Sequence, residues 1–323
     1  MQMRPRVLAS AILSLLLVAV GLPAHADVSW SVAVSDDGSG RANYAYEEEP
    51  GSSVEDTWVL TNSGSEEITL RVFATDAITT SSGQLDLIPS DQEPTGLGSW
   101  VTTSADEVTL EPGEKREIDV TISVPDDATP GDHAGGLVSV LAADDGGTVA
   151  VERRLGTRIH LRVPGDVTTS LAVSDLTVDA PPAWNPFAGV DLAVSYRVSN
   201  DGTGRAFAPE VLTASGPGGL GSGRTTGEVP ETLPGSTVDR ATTVAGVLAL
   251  GPTTVTVTVQ PTGIDGTMAD PVTAETTVWV VPWGWIAIVA VVAVAGAVVA
   301  VVRARSRYEW LDADAADTED SAR

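Results

Sequence analysis

Four arginines, Arg153, Arg154, Arg158 and Arg162, fall within ten residues of a chain that is otherwise strongly acidic. Residues 27–165 hold 26 Asp and Glu against 8 Lys and Arg. Read as a strand, Leu155, Thr157, Ile159, Leu161 and Val163 share one face, and Arg158, His160 and Arg162 share the other at a spacing of about 6.6 Å. A guanidinium offers a fixed fork of donors that grips a carboxylate two N–H groups at a time. Such a stripe would suit the carboxylates of wall peptides or of an acidic partner. The competing use is cross-strand pairing with outward acids of the same sheet such as Glu117 and Asp119. That second use carries more weight, because exposed ion pairs are common and individually weak.

Other chemistry is sparse. Outside the N-terminal leader the histidines are His133 and His160, 27 positions apart, with no H-E-x-x-H pattern and no third ligand close by in sequence; this predicts no metal site. There is no cysteine, which removes disulfides, thiol catalysis and thiolate metal sites together. No nucleophile elbow or phosphate-binding glycine loop is present, so no catalytic residue and no cofactor is assigned. The acid pairs Asp36-Asp37, Asp126-Asp127 and Asp144-Asp145 stand beside turn residues and lack EF-hand spacing. Among the aromatics, Trp30 lies on the apolar side of a strand pattern and belongs in a core. Trp184, in Pro181-Pro182-Ala183-Trp184-Asn185-Pro186-Phe187, is the exposed candidate for stacking on a sugar face.

The elements that must hold these residues are strands. Val28–Val34, Ile68–Ala74, Ile118–Val124, Val190–Val198 and Val255–Val259 alternate apolar with polar residues, the period of a half-buried antiparallel strand. Turn residues punctuate them as in a sandwich. The segment Val108–Val140 reads as scaffold: two Pro-Gly corners around a strand, with its carboxylates in turns or facing out. His133, at the start of the next strand, is expected to pack as a flat ring. Ala77–Ser99 is long for a hairpin connection, the kind of loop in which binding residues gather; the competing reading is a short strand of Leu85, Leu87 and Ile88, with Trp100 closing the core. The cues also repeat: Val59-Leu60-Thr61-Asn62-Ser63-Gly64 is echoed by Arg197-Val198-Ser199-Asn200-Asp201-Gly202, and Leu110-Glu111-Pro112-Gly113 by Leu233-Pro234-Gly235. The expected fold is all-β, with two tandem immunoglobulin-like β-sandwich modules over 27–165 and 166–281, followed by a single transmembrane helix.

Both ends carry targeting patterns. Residues 1–26 have the basic start, short apolar run and Ala24-His25-Ala26 site of a signal peptide. Residues 283–302 are uncharged and long enough to span a bilayer. Trp279, Trp283 and Trp285 stand at the outer end, and Arg303, Arg305 and Arg307 follow. The positive-inside rule therefore puts the tail 303–323 in the cytoplasm and the rest outside a plasma membrane crossed once. The tail's acidic end, Tyr308–Arg323, is expected to lack fixed structure. With a formal net charge of −26, the surface repels phosphates, so nucleic acid is excluded as a partner.

Trp100, Leu110-Glu111-Pro112-Gly113, Val124-Pro125, Pro130-Gly131-Asp132-His133-Ala134-Gly135-Gly136 and Gly156–Gly165 together resemble the first domain of WxL-interacting proteins of Gram-positive bacteria. His133 and His160 stand where that domain would carry aromatic residues, usually Tyr. The resemblance implies a non-enzymatic surface protein, with peptidoglycan or another cell-wall polymer as ligand of the first module. It implies contacts with other surface proteins through a degenerate second module. The candidate binding residues are Arg158, His160, Arg162 and Trp184. Two other readings stay open: an enzyme accessory or carboxylate-dependent wall hydrolase, which needs two facing carboxylates in a cleft, and an assembly chaperone that exchanges a strand at an open sheet edge.

Overall fold

The computed structural model describes residues 28–35, 40–141 and 153–320. The expected signal peptide and the pairs Asp36-Asp37 and Asp144-Asp145 lie outside the described residues. The period-two segments form strands. In chain order they are β1 (Trp30–Val34), β2 (Tyr44–Glu47), β3 (Ser53–Asn62), β4 (Ile68–Thr79), β5 (Leu85–Leu87), β6 (Val101–Thr103), β7 (Glu107–Leu110), β8 (Lys115–Ser123), β9 (Gly131–Leu141) and β10 (Arg154–Val163). One sheet runs β1-β3-β8-β6 and a second runs β2-β10-β9-β4-β5, with β7 also paired to β4. The β2–β10 pair is parallel. The two sheets pack face to face: one buried cluster draws Trp58, Leu60, Ile118 and Val120 from the first and Tyr44, Leu70, Leu137, Ile159 and Leu161 from the second.

Two buried indoles tie these sheets together. Trp30 Nε1 donates to Ser139 Oγ at 2.9 Å and Trp58 Nε1 to Thr157 Oγ1 at 2.8 Å. This explains a serine and a threonine on inward-facing positions of β9 and β10, since a buried indole N–H needs an acceptor.

The later strands are β11 (Leu171–Asp179), β12 (Val190–Asn200), β13 (Ala206–Ser215), β14 (Gly223–Thr232), β15 (Thr237–Val247), β16 (Gly251–Val259), β17 (Thr262–Gly263) and β18 (Val272–Val280). They form the sheets β11-β12-β15 and β14-β13-β16-β18, with β17 on β13. A second core lies between them, built from Leu192, Val194, Tyr196 and Val198 on one side and Leu212, Val255 and Val257 on the other. It also encloses a charge. Glu210 is buried, accepting from Tyr196 OH at 2.5 Å and from Arg240 Nη2 at 2.6 Å. By proximity of Cα atoms, one compact unit runs to Ala77 and continues through Leu87–Thr129 and His133–Pro164; the other comprises Ile78–Asp86, Pro130–Asp132 and the chain from Gly165 onward.

The echoed asparagines perform one task twice. Asn62 is fully buried; its Nδ2 donates to Glu66 O and Leu110 O (2.7 and 3.0 Å), and its Oδ1 accepts from Gly64 N at 2.9 Å. Asn200, equally buried, donates to Gly204 O and Thr232 O (2.9 and 2.8 Å) and accepts from Gly202 N at 3.0 Å. Their backbone carbonyls accept from Gly113 N and Gly235 N, each at 2.9 Å. Those glycines have φ of 79° and 72°, the left-handed position that a turn with Pro before it demands.

A single helix, α1 (Trp283–Asp320), follows β18. It continues past the apolar stretch into the tail expected to lack fixed structure. Residues 303–320 contain no Gly or Pro and are rich in Ala, Arg, Glu and Asp, so nothing in them stops a helix already nucleated upstream.

Candidate functional site

The arginine stripe stands on the outer face of the sheet β2-β10-β9-β4-β5. Thr157, Ile159, Leu161 and Val163 are buried, while Arg158 is exposed and His160 and Arg162 are half-buried. The expected pairing with Glu117 and Asp119 does not form, because β8 pairs with β3 in the other sheet. The strand beside the stripe is β2, with Arg162 in register with Glu47 and His160 with Ala45. In a parallel pair these partners share a face, so Glu47 is the acid next to the stripe.

The four clustered arginines divide into two kinds. Arg153, itself exposed, donates through Nη2 to Val28 O at 3.0 Å, and its guanidinium lies 5.3 Å from the Trp30 ring centroid. Arg154 reaches Leu87 O and Ile88 O at 3.5 Å each. Both are occupied in holding neighbouring backbone, beside a cavity of about 410 Å³ lined by Ser29, Trp30, Arg153, Arg154 and Leu155. Arg158, exposed, and Arg162, half-buried, are the arginines of this segment that stand on the outer face.

The same face carries apolar residues from β4, β5 and β9. Phe73 is paired with Val138 and Arg71 with Val140 in the β4–β9 register, and the Arg71 guanidinium lies 5.2 Å from the Phe73 ring. Val138 and Val140 are buried without belonging to the inner core. Leu87 lies over Gly136 and Gly156: a Cβ on Gly136 would come within 3.0 Å of both Leu87 methyl carbons, and one on Gly156 within 3.1 Å. The two glycines thus form a trough that accepts a leucine side chain. The face combines a guanidinium row with the partly exposed apolar side chains of Phe73 and Leu87, an arrangement suited to a ligand with carboxylates and an apolar body.

Leu87 belongs to the long segment after β4, and Asp76 fixes that segment. One carboxylate accepts three backbone N–H groups, from Thr95 and Gly96 (2.7 and 2.8 Å) through Oδ2 and from Gly98 (2.7 Å) through Oδ1. The Ala77–Ser99 stretch is therefore an ordered connection containing β5. A 3₁₀ turn, Leu97–Trp100, follows it. Trp100 packs against His133 with ring centroids 4.6 Å apart and the planes tilted by 48°, and His133 Nε2 lies 2.9 Å from Thr129 O, the packing role expected of that histidine. Sequence reasoning missed Arg71, Phe73, Leu87 and Asp76. The signal that could have found the first two is parity: they sit on the positions of β4 opposite to Leu70, Val72 and Ala74.

Trp184 lies far from the stripe in sequence and belongs to a different sheet pair. It is exposed, with one ring face stacked on Trp283 at a centroid distance of 6.0 Å. Among the described residues no group of three or more His, Asp or Glu side chains is arranged to hold a metal ion.

Residues 46–140 match the family model for the WxL Interacting Protein, peptidoglycan binding domain, in agreement with the resemblance read from the sequence. The match spans the end of β2 through nearly all of β9; β10, which carries Arg158, His160 and Arg162, follows it and pairs within the same sheet. No curated protein matches the chain. Solved structures similar to it include a chaperone–tip adhesin complex of CFA/I fimbriae (10% identity, 79% of this chain and 99% of that one, TM-score 0.40). Another is the class 5 fimbriae chaperone CfaA (12% identity, 78% and 100%, TM-score 0.36). A third is the CsuC–CsuE chaperone–tip subunit complex of Acinetobacter baumannii (14% identity, 66% and 90%, TM-score 0.34).

Proposed function

We propose that this protein is a non-enzymatic, membrane-anchored cell-surface binding protein. Its first β module binds peptidoglycan or another wall polymer, its second meets partner surface proteins, and α1 holds both at the membrane. The observation that carries the reading is the match of residues 46–140 to a peptidoglycan-binding domain model, in a chain that ends in a helix, Trp283–Arg305, long and apolar enough to cross a bilayer. Residues 1–26 serve as the export signal, and the arginines after the helix keep residues 303–323 in the cytoplasm. Within the first module the outer face of the β2-β10-β9-β4-β5 sheet is the contact surface. Arg158 and Arg162 pair with ligand carboxylates, and His160 lies between them.

The test is co-sedimentation of the full chain, reconstituted in lipid nanodiscs, with purified peptidoglycan. Retention above that of empty discs is expected. A double R158S/R162S variant, altered only at outward-facing positions, is expected to lose ~10-fold or more, since charge-assisted hydrogen bonds contribute about 1.5–3 kcal/mol each. No retention of the parent chain defeats the wall-binding reading. Retention unchanged in the double variant moves the contact surface off the arginine stripe.

A further inference from the structure

We infer that the end of the second β unit from which α1 leaves is itself seated in the outer headgroup region of the bilayer, so that the protein rests on the membrane through three loops as well as through its helix. This rests on the reading of α1 as the membrane anchor.

Strand registers bring the parts of this end together. Val190, at the start of β12, pairs with Val247, at the end of β15. Gly251, at the start of β16, pairs with Val280, the last residue of β18 before α1. Ala214 and Gly223 pair where β13 passes into β14. The loops 180–189, 216–222 and 248–250 therefore gather where the chain enters α1. Leu248 N donates to Gly221 O at 3.1 Å, joining two of the loops, and Gly284 N donates to Ala183 O at 3.0 Å, joining the third to the helix. That junction is tight: a Cβ on Gly284 would stand 2.2 Å from Trp184 O.

Two properties of this end point to lipid. First, in a chain with a net charge of −26 it carries no ionisable residue in any of the three loops, nor from Thr276 through Val302. Second, each loop exposes large apolar side chains: Trp184 (66%), Phe187 (80%), Leu220 (65%), Leu248 and Leu250, with Trp279 (69%) on the adjoining strand. Met268, exposed on the β17–β18 connection of the same unit, is instead flanked in sequence by Asp265 and Asp270. Exposed apolar patches of this kind mark interaction surfaces, and this one is continuous with a helix top already bearing indoles. Trp184 stacks on Trp283, and Phe187 meets Trp285 edge-on at 5.4 Å. Indole and apolar loop residues around the mouth of a spanning helix form the belt that an interface of mixed polarity accepts best. The bilayer that α1 enters is the one surface the connection brings against this end by construction.

The chain has no cysteine, so single substitutions give unique labelling sites. Leu220→Cys, Met268→Cys and Val291→Cys, each carrying an environment-sensitive fluorophore, are compared in the full chain in nanodiscs. The Leu220 label is expected to shift to the blue and to lose emission when the lipids carry a nitroxide near the headgroup. The Met268 label stays as in water, and the Val291 label is quenched by a nitroxide deep in the acyl chain. A quenched Val291 label with a water-like Leu220 label overturns the inference and leaves the anchor intact. An unquenched Val291 label removes the anchor and the inference with it. A blue-shifted Leu220 label that lipid nitroxides do not quench assigns this end to a protein contact and likewise overturns the inference.

Discussion

Three tyrosines hold their protons through the fold. Tyr46 OH donates to Asp56, whose Oδ1 also accepts from Arg41 Nη2 at 2.8 Å, and Tyr44 OH donates to Thr57 O at 3.0 Å. Tyr196 OH donates to the buried Glu210 carboxylate, which Arg240 neutralises. Burial, reinforced by the neighbouring carboxylates, pushes all three phenols well above the ordinary tyrosine range. In an unfolded chain the same phenols ionise near pH ~10. Above that pH the folded state binds more protons than the unfolded one. The stabilisation is thus complete below pH ~10 and declines as pH rises further. Three of the four tyrosines are therefore expected to ionise together with loss of tertiary structure. The measurement is phenolate absorbance followed alongside near-ultraviolet circular dichroism. Reversible titration of all four near pH ~10 with the fold intact would contradict this.

At the scale of elements, the paired asparagines set how strongly each Pro-Gly corner is held to its strand. Replacing Asn200 by Ala strands two buried carbonyls and one buried N–H; replacing Asn62 strands the buried Leu110 carbonyl together with a part-buried carbonyl and N–H. With ~1–3 kcal/mol for each unsatisfied group and partial relief by water, roughly 2–4 kcal/mol of destabilisation is expected. Urea unfolding should show it for both variants, and a loss below ~0.5 kcal/mol would mean that the corners hold without the asparagine. The echo that exposed these residues was legible because the device is local: an Asn, a glycine two positions on, and a Pro-Gly corner. Strand faces were legible for the same reason, since period-two alternation reports which side of a strand is buried. Sheet membership was not. Alternation is identical whichever sheet a strand joins, so Glu117 and Asp119 were assigned to the arginines' sheet although β8 pairs elsewhere. Short strands escaped as well: Tyr44–Glu47 spans four residues, too few to show a period, yet it supplies the neighbour of the arginine stripe. Glu210 left a faint mark, an acid on the inward parity of Ala206, Ala208, Leu212 and Ala214, but its partners lie on strands 14 and 30 residues away.

For the whole molecule, net charge and local charge oppose one another. A net charge of −26 repels any anionic polymer over long range, whereas Arg158 and Arg162 attract carboxylates only at contact. Ionic strength separates the two by distance. Near 0.01 M salt the screening length is ~30 Å, so the polymer feels the acids of the whole chain; near 0.15 M it is ~8 Å, and the approaching polymer feels chiefly the face it touches. Still higher salt weakens the exposed guanidinium–carboxylate pairs themselves. Retention by peptidoglycan should accordingly rise from low to physiological ionic strength and fall again toward 1 M. In R158S/R162S the rise should persist while the high-salt fall flattens, because only the local attraction has been removed. A steady decline from the lowest salt upward in the parent chain would mean that the acidic body does not oppose approach to the wall. Retention indifferent to salt throughout would assign the contact to the apolar side chains of Phe73 and Leu87 rather than to the arginines.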